Sequence, residues 1–222
     1  FTTGAFTYVN GDADPQGDAL ILDGVANATS VSVDGAAAGL GAMPRVTATS
    51  DDVRSFVLTL GDMPQPPSYL TDATTGLLIP QVDSDPAAQT LSVTVPAGGT
   101  QDFDVVHDPE WSAALTTTPN PVSIGAATQV DIDGPAGAFG AWVIVAVEEE
   151  LLHVKGVTLA AKPVPPAFLF FVPLDGSGDA SFPASIPNDP GFSGIRLPVQ
   201  AIIVDGGQVP LAVSNLWGFE VD

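Results

Sequence analysis

Asn10, Asp12, Asp14 and Asp18 fall on alternate positions of VNGDADPQGDALILDG (residues 9–24), between two apolar runs. Side-chain oxygens spaced this way in a tight loop can converge on a calcium ion, which takes roughly six to eight of them. Two features depart from an EF-hand-type loop: Pro15 stands where Gly is needed for the sharp turn, and Ile21 occupies the twelfth position in place of Glu. The segment therefore reads first as a polar turn between two strands and second as a calcium site. Calcium is the one cofactor the sequence suggests. Asp131/Asp133 and Asp175/Asp179 repeat the ambiguity, each pair sitting at a natural turn.

Other residues that could do chemistry read as structure. VEEELLHV (147–154) places Glu148, Glu149, Glu150 and His153 close together, but it is not the HExxH of a zinc enzyme. On a strand, Glu148 and Glu150 would point one way and Glu149 the other. His107 is distant, and two histidines without cysteine make a poor zinc set. No GxSxG, P-loop or helix-opening GxGxxG occurs, so no catalytic residue is assigned and a non-enzymatic role is expected. A glycan hydrolase, whose carboxylate pair has no local signature, ranks third among the functional readings. Of the tryptophans, Trp142 and Trp217 lie in strand-like apolar segments and are expected in the core, which leaves Trp111 as the candidate sugar-stacking face.

The elements that must hold these residues are strands. Period-two alternation runs through residues 3–9, 28–34, 53–60, 90–95 and 101–106, and again through 127–133, 140–147, 168–172, 194–205 and 209–221. Gly and Pro, 23 and 21 in number, punctuate these runs. The best helical candidate is DPEWSAAL (108–115), with Asp108 as cap and Pro109 at the first helical position. The fold class expected is all-β, as two consecutive β-sandwiches of Ig-like or jelly-roll type. They would occupy residues 1–114 and 126–222, joined by the polar, Pro-containing linker 115–125 (LTTTPNPVSIG).

Composition narrows the partners. Twenty-six acidic residues against 5 basic give a net charge of -21, which disfavours nucleic acid and anionic membrane surfaces. With 45% hydrophobic residues and a mean hydropathy of +0.31, the 222-residue chain can bury a substantial core. Its apolar runs, such as that at 167–172, are too short to span a membrane, so membrane insertion is not expected. Cysteine is absent, and the first residue is Phe in place of Met, which reads as a processed N-terminus and hence export.

The second half carries a resemblance. The Asp175-Gly176-Ser177-Gly178 turn, the Ile186-Pro187-Asn188-Asp189-Pro190 segment, Gly194, Gln200-Ala201 and Ser214-Asn215 recur in this order. In this pattern the half-chain resembles a β-sandwich module common at the C-terminal ends of exported bacterial proteins. The resemblance implies a sandwich fold and secretion; such modules accompany many activities and bring no catalytic residues of their own.

The N-terminal FTTGAFTYV completes the reading. A terminal strand followed by a Gly- and Asp-rich segment can pair within its own sheet or insert into the open edge of a neighbour, with Phe1, Gly4, Phe6 and Tyr8 as the assembly strand. The expected function is a secreted or cell-surface structural subunit whose partner is itself, assembling into a fibre or lattice. The alternative is a calcium-dependent carbohydrate-binding or adhesion module, with glycans as ligands.

Overall fold

The computed structural model describes residues 5–9, 19–23, 30–34, 45–49, 56–61, 67–79, 83–85, 90–95 and 100–222. The chain is all-β: the described residues form nineteen strands and a single short 3-10 turn at Pro190–Phe192, with no α-helix. No helix among them is long and apolar enough to cross a membrane. Two compact units divide the chain, Phe1–Asp108 and Pro109–Asp222.

The first unit contains β1 (Ala5–Val9), β2 (Ala19–Asp23), β3 (Ser30–Asp34), β4 (Arg45–Thr49), β5 (Phe56–Gly61), β6 (Tyr69–Asp72), β7 (Asp83–Asp85), β8 (Thr90–Val95) and β9 (Thr100–Val106). They form a sheet of order β1-β2-β4-β9-β6 and another of order β3-β5-β8-β7. Within them β2 runs parallel to β4 and β3 parallel to β5; the other pairs are antiparallel. Val46 lies opposite Phe103 in the β4–β9 ladder, and both are fully buried. On the next pair of that ladder, Arg45 grips Asp104 through two N–H donors at 2.7 and 3.1 Å.

The second unit contains β10 (Ala114–Thr118), β11 (Ala127–Asp133), β12 (Gly140–Val145), β13 (Glu149–Val154), β14 (Val157–Ala161), β15 (Phe168–Pro173), β16 (Asp179–Ser185), β17 (Arg196–Val204), β18 (Pro210–Val213) and β19 (Trp217–Glu220). One antiparallel sheet has the order β10-β11-β16; the other runs β15-β12-β17-β18, with β19 pairing the first half of β17. A single hydrophobic cluster joins both sheets: Leu115, Val130 and Ile132 come from the first, and Ala141, Val143, Val199, Ala201 and Ile203 from the second. The β13–β14 hairpin forms a third layer. Every residue of β14 is buried, and the strand packs against β17 and β18 on the face away from that core.

Two expectations are corrected here. Residues 108–115 are not helical: Pro109 and Glu110 make a turn and the chain enters β10. The backbone groups that a helix would use internally are taken by β18, since Val213 N–H donates to the Glu110 carbonyl and Ala113 N–H to the Val213 carbonyl. Residues 115–125 are not a linker, because the division falls at Asp108/Pro109. Leu115 and Thr117 alternate inward from β10, and Val122 is fully buried and bridges Val221. Polar composition misled there: the threonines are a sheet edge, not a tether.

Candidate functional site

Of the first acidic loop, Asn10, Asp12, Asp14 and Asp18 lie outside the described residues, as do Phe1 and Gly4 of the N-terminal segment. Phe6 and Tyr8 stand in β1, opposite Leu22 and Leu20 of β2. Among the described residues, β1 is the outermost strand of its sheet and pairs on one side.

The other two acidic pairs come together. Asp131, Asp133, Asp175 and Asp179 line one cleft of about 460 Å³ in the second unit, because the antiparallel β11–β16 register sets Asp131 opposite Ser181 and Asp133 opposite Asp179. Two of the four carboxylates are already engaged. Ser181 Oγ donates to Asp131 at 2.5 Å. Asp175 Oδ1 accepts from the backbone N–H groups of Ser177 at 2.8 Å and of Gly178 and Asp179 at 3.1 Å, closing the turn before β16. These bonds, led by that from Asp179, hold the Asp175 carboxyl below its ordinary pKa. Gly178 is required in this turn: its φ is +100, and a Cβ would lie 2.4 Å from the Gly134 carbonyl oxygen. Among the described residues, no three acidic or histidine side chains converge as ligands for one metal ion. The cleft is an acidic surface with Asp133 facing Asp179, a like-charge pairing that weakens the ladder there.

The glutamate run divides as strand geometry requires. Lys162 Nζ meets Glu148 at 2.9 Å and Glu150 at 2.8 Å, whereas Glu149 points the other way and pairs with Arg196. The two glutamates, Glu150 first, hold the Lys162 ammonium above its ordinary pKa. His153 Nδ1 is 3.1 Å from Thr158 Oγ1. The Glu149–Arg196 pair ties the hairpin to β17, while the other two contacts hold the hairpin's own strands together.

The tryptophans fall into three environments. Trp111 is half-buried, and its indole N–H donates to the Thr158 carbonyl of β14 at 2.9 Å, which fixes it against the hairpin. Trp217 packs against the core and donates to Thr117 Oγ1. Trp142, expected in the core, instead stands on the outer face of its sheet, where it donates to Gln208 Oε1 at 2.8 Å and meets Phe171 edge-on. Phe171 also covers Gly140, where a Cβ would lie 2.1 Å from the ring. The outward position of Trp142 was hidden in GAWVIVAV because the β13–β14 hairpin covers part of that face, so both faces of β12 are apolar.

An open sheet edge is formed by β15. This strand pairs with β12 on one side and has no strand partner on the other among the described residues. Phe168, Leu169 and Phe170 are 73%, 56% and 38% exposed. Residues 163–174 contain no charged side chain, in a protein of net charge -21. Edges of soluble sheets are ordinarily blunted by charge, Pro or a covering element. Prolines flank this strand, but its exposed residues are Phe-Leu-Phe. The FLFF run was visible in the sequence as a strand; its edge position depended on a topology that the run does not encode.

No protein-family model matches the chain, and no curated protein matches it either.

Proposed function

We propose that the chain is a non-enzymatic, extracellular structural subunit that assembles with copies of itself through sheet edges into a fibre or lattice. The observation that carries this reading is the β15 edge, where exposed Phe168, Leu169 and Phe170 stand on a strand that has no second strand partner among the described residues. Strand addition at such an edge gains main-chain hydrogen bonds and apolar burial together. Charge favours a second copy meeting this strand over other parts of the surface. Two molecules of net charge -21 repel, and the charge-free stretch 163–174 is a place where they can approach without setting carboxylate against carboxylate. Location outside the cell rests on the resemblance of the second half to modules of exported bacterial proteins.

The N-terminal strand is the rival edge. Donor-strand exchange would require β1 to leave or extend beyond its pairing with β2. Electron microscopy of the concentrated protein, with Phe168→Glu and a deletion of residues 1–9, separates the routes. Polymers that vanish in Phe168→Glu and persist in the deletion support β15, and the reverse supports N-terminal donation. Discrete monomers in the unaltered protein at every concentration overturn assembly by either route. The second reading, a calcium-dependent carbohydrate-binding or adhesion module, draws on the four carboxylates of the Asp131 cleft. A calcium-dependent rise in melting temperature together with glycan capture moves it ahead.

A further inference from the structure

A groove of about 360 Å³ lies on the outer face of the second unit, beside the β13–β14 hairpin. Its apolar lining includes Trp142, Ile144, Leu159 and Leu169, and its polar members include Lys155 and Gln208. This volume falls within the range of small-molecule sites.

Two turns converge on this groove with unusual backbones. Lys155, at φ +50, and Gln208, at φ +62, are the two non-glycine residues among the described ones that adopt positive φ. Lys155 and Gly156 form the two-residue connection between Val154 and Val157, with positive φ at both positions. Asn is favoured over a long side chain at the first position of such a turn, so Lys is held there against local preference. Gln208 sits in a turn closed by Asp205, whose Oδ1 accepts from Gly207 N–H at 2.8 Å and Val209 N–H at 2.9 Å. Backbone strain of this kind collects at binding sites, and here both instances line the same groove.

The polar groups present donors. Gln208 Oε1 is occupied by the Trp142 indole N–H, which leaves the amide NH2 of Gln208 to donate. Lys162 and Arg196, the other Lys and Arg of this unit, are matched to Glu148, Glu150 and Glu149, whereas Lys155 makes no ion pair among the described residues. One free ammonium and one amide donor suit a singly charged acceptor. A dianion would meet the field of a protein of net charge -21 with one cation to offset it. Above the fully buried Ile144 and Leu159, the accessible apolar lining is Trp142, Val154, Leu169 and Ile202; a sugar's hydroxyl groups would lie unpaired against these four side chains, while an alkyl or aromatic body would not.

We propose that this groove binds a small molecule with an apolar body and a single carboxylate, the body resting on Trp142, Leu169 and Ile202 and the carboxylate meeting Lys155 and the Gln208 amide. Calorimetric titration of the full chain with decanoate and with 1-decanol, its uncharged counterpart, tests this. Decanoate is expected to bind more tightly than decanol and to perturb Trp142 fluorescence, a change lost in Trp142→Phe. Lys155→Asn removes the cation but creates the Asn-Gly pair that this turn prefers, so the fold is retained and the melting temperature does not fall. In that variant decanoate affinity should drop about tenfold or more, as for the loss of a charge-assisted hydrogen bond, with decanol affinity unchanged. Equal affinities for decanoate and decanol, undiminished decanoate binding in folded Lys155→Asn, or no decanoate binding at all would overturn the proposal.

Discussion

Replacing Asn215 by Ala should cost the second unit about 4 kcal/mol. Asn215 lies in the break between β18 and β19, is 3% exposed, and serves β10 as a side-chain substitute for a ladder partner. Its Oδ1 accepts from Leu115 N–H at 2.7 Å, and its Nδ2 donates to the Leu115 carbonyl at 3.0 Å. Leu115 is fully buried. Truncation therefore orphans one donor and one acceptor in a dry core, each worth about 1–3 kcal/mol when left unsatisfied. Against a typical domain stability of about 5–15 kcal/mol this is a large loss. Urea unfolding followed by tryptophan fluorescence measures it, and amide exchange at Leu115 should accelerate in the native state. Asn215→Asp keeps the acceptor but turns an oxygen toward the Leu115 carbonyl, so at neutral pH it should be no better than Ala. A loss below about 1 kcal/mol in Asn215→Ala would refute the reasoning, since two abandoned hydrogen bonds cannot be that cheap without solvent entering the core.

Arg196→Met should destabilise by about 3–5 kcal/mol by removing the guanidinium that pairs with the nearly buried Glu149 carboxylate, and Arg196→Met/Glu149→Gln should recover much of that in denaturant titrations. Gly140→Ala should cost about 1–3 kcal/mol by displacing the Phe171 ring, with a change in Trp142 fluorescence as its signature. The depressed carboxyl pKa of Asp175 means that its turn adds stability above the unfolded-state carboxyl range, near pH 4, and that this is lost as pH falls through the lower folded-state value. Acid melts of Asp175→Asn should accordingly lack that component, so the difference in melting temperature from the unaltered chain should shrink as pH falls below about 4. A difference that stays constant or grows would contradict it.

Strands with one wet face were legible. Residues 127–133 alternate in sequence and in burial, and β11 has the expected bounds. β17 (Arg196–Val204) falls within the expected 194–205, but its non-core face carries Gln200, which is fully buried. Gln200 Oε1 accepts from the N–H groups of Ala160 and Ala161, and its Nε2 donates to the Ser214 carbonyl. A buried amide of this kind looks like a solvent-facing residue until the hairpin above it is known. The 209–221 run read as one strand because its apolar residues continue through Ser214 and Asn215, yet these two leave the ladder to bond Ala201 and Leu115. The Gln200-Ala201 and Ser214-Asn215 features behind the resemblance thus form one buried polar network. Each Asp pair of the cleft was visible singly; their convergence needed the β11–β16 register, which spans some fifty residues of sequence. The Lys155-Gly156 dipeptide between two apolar runs was a readable hairpin signal for one wall of the groove, but nothing local tied it to Trp142 or Gln208.

Sedimentation velocity of the full chain over a wide concentration range, at low and high salt, tests assembly through β15 most directly. The account predicts oligomers that grow with concentration and are strengthened by salt, as screening reduces repulsion between acidic copies. Phe168→Glu, which sets a charge into the uncharged edge, should sediment as a monomer with an unchanged melting temperature. A chain that remains monomeric throughout, or Phe168→Glu oligomers indistinguishable from those of the unaltered protein, would contradict it.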